Sequence, residues 1–141
     1  MTNRTRKALS LLTHTKTHLE LFNMFFRGYL HDTGWINSFV KKRPVDKDDN
    51  PVPWLTLPFN AFINERLSDD MIIFEYGSGN STLFYAKKVK EVVAVENDKG
   101  WFDEIKNEMP SNVQLIFENL KSNEDRYNKA ALLKKKKYDM I

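Results

Sequence analysis

At 141 residues, with 41% hydrophobic, 29% charged and 13% aromatic side chains, the chain has room for one domain, or one domain with an arm, and its composition argues against wholesale disorder. Its 22 basic and 19 acidic residues leave +3, divided as 10 against 8 over residues 1–70 and 12 against 11 over residues 71–141, so neither half is a basic arm and nucleic acid is disfavoured as a partner. The lack of cysteine excludes disulfide scaffolds, cysteine zinc sites and thiol catalysis.

The N-terminus carries basic residues, but its apolar stretch Ala8–Leu12 is broken by Ser10 and is too short for a secretory signal. No run approaches the ~20 apolar residues that span a bilayer, so a soluble cytoplasmic protein without a membrane partner is expected. Residues 8–30 read as one amphipathic helix, with Leu9, Leu12, Leu19, Phe22, Phe26 and Tyr29 on a stripe. A second stripe runs through Leu11, Met24 and Phe25, so the register stays open; Gly28 and Gly34 mark the end and the next turn. Residues 41–53 hold three Pro and mixed charges and read as an exposed loop. A short helix follows over Pro58–Leu67, with Phe59, Phe62, Ile63 and Leu67 on one side and Pro58 in the first turn.

From residue 70 the pattern becomes alternating strand and helix. Met71–Tyr76 is an apolar run ending in Gly77, as expected of a strand buried on both faces. Asn80–Lys90 reads as a helix capped by Asn80 or Ser81, and Glu91–Glu96 as the second strand. Asp98–Met109 is expected to be a helix with Trp101, Phe102, Ile105 and Met109 inward, stopped by Pro110. Val113–Phe117 is the third strand, Ser122 with Asp125 resembles a capping box opening a helix to Lys135, and Tyr138–Ile141 begins a fourth strand. The expectation is an α/β fold: a Rossmann-like parallel sheet with flanking helices over residues 70–141, preceded by a helical N-terminal arm over residues 1–69.

The chemistry points to Ile72-Ile73-Phe74-Glu75-Tyr76-Gly77-Ser78-Gly79-Asn80-Ser81-Thr82. A strand running through Gly-x-Gly into a helix lets backbone N–H groups approach a ligand, where side chains would block them. Alone this is a weak signal, since the third glycine of the dinucleotide fingerprint is replaced by Thr82. Glu75, just before the glycines, would repel a pyrophosphate and suits a cationic ligand better. Glu96 closes the next strand, where a carboxylate can accept hydrogen bonds from ribose hydroxyls.

The run E-Y-G-S-G-N-S-T, followed by V-V-A-V-E-N-D, resembles the N-terminal half of class I S-adenosylmethionine-dependent methyltransferases. The resemblance covers Met71–Ile141; a looser one links Gly34-Trp35 and the stretch Pro53–Pro58 to the lead-in of small bacterial members. It implies S-adenosyl-L-methionine as cofactor and methyl donor. Gly77 and Gly79, with Tyr76, Ser78, Asn80 and Ser81 around them, would wrap its methionine part. Glu75 would help hold the ammonium group, directly or through water; Glu96, with Asn97 beside it, would bind the ribose, and Glu118 or Asn119 would contact adenine. The resemblance further implies in-line methyl displacement, in which alignment alone can supply ~7–11 kcal/mol. Neither the acceptor nor a catalytic base can be read from the residues. The family continues past its fourth strand, so the chain reads as a fragment or truncation, with pairing through an exposed sheet edge or homo-oligomerisation as one consequence.

Plainer roles stand beside these. Glu75 could be a surface carboxylate and Glu96 a cap for the helix near Asp98. Ser78, Asn80 and Ser81 could cap their own helix, and Glu118 and Asn119 could form an ordinary loop. His14 and His18 are four apart but lack a third ligand, His31 has no partner suggested by the sequence, and Lys134–Lys137 reads as a solvated helix end. Trp35 and Trp54, flanking the Pro-rich loop, could form a lid or pack against the N-terminal helix. Two other functions fit the same residues: a fragment of an NAD-dependent oxidoreductase, and a non-catalytic interaction module.

Overall fold

The computed structural model describes residue 5 and residues 15–120, 124–133 and 136–141. The chain divides into two compact units, Met1–Asp49 and Asn50–Ile141.

In the first unit the described helices are α1 (Thr15–Asn23), α2 (Tyr29–Asp32) and α3 (Trp35–Lys41). The single helix expected through residue 30 therefore ends at Asn23. Large apolar side chains stand at most positions from 19 to 26, so no one stripe dictates continuation, and the chain turns before Gly28. Leu9, Leu11, Leu12 and His14 lie outside the described residues. Leu19, Phe22, Phe26 and Tyr29 are exposed. Gly34 enters α3 at φ +75°, and a Cβ there would stand 2.3 Å from the Asp46 carbonyl carbon, so only glycine lets residues 45–46 lie this close. The Pro-rich segment is tied down at its start. The Ser38 hydroxyl donates to Val45 O and accepts from Val45 N–H, both at 2.9 Å, and Lys41 pairs with Asp49 at 2.9 Å.

The second unit opens with α4 (Leu57–Asn64), where Pro58 sits in the first turn and Ile63 is the buried side chain. It continues through β1 (Ile72–Tyr76), α5 (Asn80–Ala86), β2 (Glu91–Glu96), α6 (Lys99–Ile105) with a 3₁₀ turn over Lys106–Glu108, β3 (Val113–Phe117), α7 (Glu124–Asn128) and α8 (Ala130–Leu133). The strands form a three-stranded parallel sheet in the order β1-β2-β3, an α/β arrangement with flanking helices that is consistent with a Rossmann-like fold. Val92, Val93, Ala94 and Val95 are at most 1% exposed, as a central parallel strand covered on both faces requires. One face packs Ile73 and Val92 against Ile63, Tyr85, Ala86 and Val89; the other packs Phe74, Val93 and Val95 against Ala130 and Ala131.

The helix expected from Ser122 to Lys135 is described as the two short helices α7 and α8; Ser122, Lys134 and Lys135 lie outside the described residues. Tyr138–Ile141 makes one parallel bridge, Ile73↔Met140, on the side of β1 away from β2. Asp139 N–H donates to Ile72 O and Phe74 N–H to Met140 O, both at 2.9 Å. The chain thus steps outward from β1 to β3 and returns to the far side of β1. In open α/β sheets such a reversal leaves a crevice at the carboxyl end of the strand where it occurs.

Candidate functional site

The carboxyl ends of β1 and β2 carry the two acids. Glu75 pairs in register with Ala94, and neighbours in register share a face, as do residues two apart on one strand. Glu75 and Glu96 therefore both face α5. Between them the chain turns at Gly77, held at φ +85° with its N–H donating to Val95 O at 2.8 Å. A Cβ on Gly77 would meet nothing within 4 Å, so glycine is required there by backbone conformation and the space beside it is open. Gly79 is extended, and a Cβ on it would make only ordinary contact, 3.6 Å from Trp101 Cζ2.

Glu75 is held from the helix side. Ser81 Oγ donates to its Oε1, and Thr82 Oγ1 donates to its Oε2 at 2.6 Å while accepting from Gly79 N–H at 3.0 Å. Thr82 is 0% exposed, so its hydroxyl is the joint between strand end, turn and helix. Burial pushes the Glu75 carboxyl above the ordinary glutamate range, the two hydroxyls pull it back, and the Glu96 charge pushes it up further. Glu75 thus puts a carboxylate beneath the first turn of α5, with each oxygen already accepting one hydroxyl.

Glu96 is 6% exposed, and both of its oxygens accept hydrogen bonds. Its Oε1 accepts from the N–H groups of Asn97 and Asp98 at 2.8 and 2.9 Å, and its Oε2 accepts from Ser78 Oγ at 2.8 Å. It therefore does cap the turn into α6, and Oε2 retains acceptor capacity, since a carboxylate oxygen offers two sites. Ser78 is the link between the two strand tips, because its hydroxyl meets Glu96 and its carbonyl accepts from Trp101 Nε1–H at 2.7 Å.

The remaining expected residues are spread more widely. Tyr76 turns to the opposite face, where its hydroxyl donates to Asn128 O at 2.9 Å and its ring meets Phe74 and Tyr127. Glu118 pairs with Arg126 at 2.8 Å, which ties the loop after β3 to α7. Asn97 and Asn119, with Asp98, Lys99, Gly100, Phe117 and Leu120, line a cavity of about 380 Å³ between the loops after β2 and β3. Asn80 and Ser81 occupy the first turn of α5.

Two contributors were not expected from sequence. Thr82 stood out only as the residue replacing a glycine, although a hydroxyl three residues after the N-cap is a capping spacing. Trp101 reads as a helix-interior residue, yet its indole reaches the turn; the nearest clue is its place three residues after Asp98, whose Oδ1 accepts from Trp101 N–H at 3.0 Å. Away from the site, Trp54 is exposed, Trp35 stacks on Phe39 with ring centroids 5.5 Å apart, His31 pairs with Asp32, and Lys136 pairs with Glu91. Among the described residues no group of three His, Cys, Asp or Glu could hold a metal ion, and no helix is long and apolar enough to cross a membrane. Compared with known proteins, the chain matches no family model and no curated relative.

Proposed function

We propose that this chain binds S-adenosyl-L-methionine at the carboxyl ends of β1 and β2 and serves methyl transfer. The observation that carries the reading is the Glu75 carboxylate fixed beneath the first turn of α5 by Ser81 and Thr82. A dinucleotide fold places its pyrophosphate at that turn, and a carboxylate there opposes two phosphate charges while favouring a ligand with cationic groups. The rest of the turn fits such a ligand. Gly77 leaves open space where a side chain would stand, Glu96 Oε2 has capacity for a ribose hydroxyl, and the cavity beside Asn97 and Asn119 is large enough for a base.

When bound, the donor supplies an electrophilic methyl group on its sulfonium. The chain's own part is positional: Glu96 accepts from the ribose, Asn97 and Asn119 flank the base, and Ser78 and Gly79 hold the turn against the methionine end. Glu75 keeps that end negative and sets its preference for a cation. Tyr138–Ile141, paired beside β1, extends the sheet as a fourth strand on this reading and forms the far wall of the crevice.

Isothermal titration with S-adenosylhomocysteine and with NAD tests the proposal. The expected result is binding of the first only, weakened about tenfold by Glu96→Gln, which removes a charged acceptor worth on the order of 1.5 kcal/mol. A preference for NAD that grows in Glu75→Gln would establish a dinucleotide site instead. Binding of neither would leave an interaction module.

A further inference from the structure

We infer that Trp101 is a positioning residue for the nucleoside site, acting through the backbone of Ser78; the inference rests on the function proposed above. Four hydrogen bonds close a ring between the tips of β1 and β2. Asp98 N–H donates to Glu96 Oε1 at 2.9 Å, Trp101 N–H to Asp98 Oδ1 at 3.0 Å, Trp101 Nε1–H to Ser78 O at 2.7 Å, and Ser78 Oγ to Glu96 Oε2 at 2.8 Å. The ring begins and ends on the one carboxylate assigned to the ribose. It also contains the peptide that leads into Gly79, whose missing Cβ would stand 3.6 Å from Trp101 Cζ2.

An indole has a single N–H donor on a rigid frame with only two side-chain torsions. Asp98 fixes the backbone of α6 beneath it, and the ring lies against the turn beside Gly79. The bond to Ser78 O lies at the short end of the N–H···O range. It holds the peptide that joins Ser78 to Gly79, in a turn whose two glycines give the backbone unusual freedom. The Gly79 N–H of the same peptide is held by Thr82 Oγ1 at 3.0 Å. Without the indole donor the peptide is therefore tied at one end and can tilt about it, shifting the Ser78 hydroxyl on Glu96 and changing which Glu96 lone pairs face the ligand. Trp101 would thus control affinity without touching the ligand.

Trp101→Phe keeps a ring and removes the donor. Hydrogen exchange measured on the ligand-free protein should show the Gly79 amide exchanging about tenfold faster, while the Phe74 amide in β1 is unchanged. S-adenosylhomocysteine should bind about tenfold more weakly to Trp101→Phe, and adding Ser78→Ala should weaken binding no further, because both changes break the same ring. An unchanged Gly79 amide overturns the inference, whatever the ligand does. A loosened turn with unchanged affinity, or losses that multiply in the double variant, overturns it as well and leaves Trp101 a merely structural residue. If the unaltered protein binds no nucleoside, the proposed function falls and this inference falls with it; a binding protein with an unaffected Trp101→Phe variant refutes this inference alone.

Discussion

Replacing Thr82 by valine keeps the shape of the side chain and removes the hydroxyl that joins Glu75 to Gly79. Two hydrogen bonds go with it, the 2.6 Å bond to the Glu75 carboxylate and the 3.0 Å bond from Gly79 N–H. A hydrogen bond to a charged group contributes about 1.5–3 kcal/mol, and a buried N–H left without a partner costs about 1–3 kcal/mol. The two are coupled through one oxygen, so Thr82→Val should destabilise by about 2–4 kcal/mol rather than by their full sum. Thr82→Ser keeps the hydroxyl and loses one buried methyl, about 1 kcal/mol. Urea denaturation of both variants reads the difference, with Thr82→Val the less stable by about 1–3 kcal/mol. The pH dependence adds a second arm. The Thr82 hydroxyl lowers the Glu75 pKa by bonding its charged form, so the gap between the variants should be full where Glu75 is ionised and shrink as falling pH protonates it. Equal stabilities within about 0.5 kcal/mol, or a gap that widens in acid, would refute the assignment of Thr82 as the joint of the turn.

Three further outcomes follow from the same contacts. Because burial raises the Glu75 pKa in the folded chain, the native state binds this proton more tightly than the unfolded one. Glu75 therefore stabilises least once pH has risen through its folded value, and Glu75→Gln should gain stability relative to the unaltered protein as pH rises from the ordinary glutamate range towards neutrality, read by denaturation across that window. Gly77→Ala meets open space but must hold φ +85°, so it should cost about 1–2 kcal/mol, measured by thermal melting. Ile73→Val, at a side chain 1% exposed, should cost about 0.5–1.5 kcal/mol in urea and leave ligand affinity unchanged.

The βα part of the fold was legible because buried parallel strands announce themselves as short apolar runs. Glu91–Glu96 and Val113–Phe117 appear in the structure with the bounds that the sequence implies, and β1 starts one residue later than expected, at Ile72. Residues 15–41 were not legible in the same way. Phe22, Met24, Phe25 and Phe26 put apolar groups on every side of a helix, so periodicity could not say where it ends. In the helix Trp35–Lys41 the residues Trp35, Ile36, Phe39 and Val40 do share one side, but two turns are too short for such a pattern to single out a helix. In the site, sequence separation suggested that Glu75 and Glu96 stand at neighbouring strand tips, and strand register explains why they also share a face. The hydroxyls that engage Glu75 were invisible because they depend on which way the first turn of α5 points. The Arg126 partner of Glu118 and the Trp101 reach to Ser78 span loops, where no local rule fixes direction.

Nuclear magnetic resonance titration of the ¹⁵N-labelled protein with S-adenosylhomocysteine tests the account most directly. The account predicts amide shifts concentrated at Ser78, Gly79, Asn97 and Asn119, with the strand amides of Phe74 and Val93 undisturbed. Shifts confined to residues away from the β1 and β2 tips, or none at saturating ligand, would contradict it.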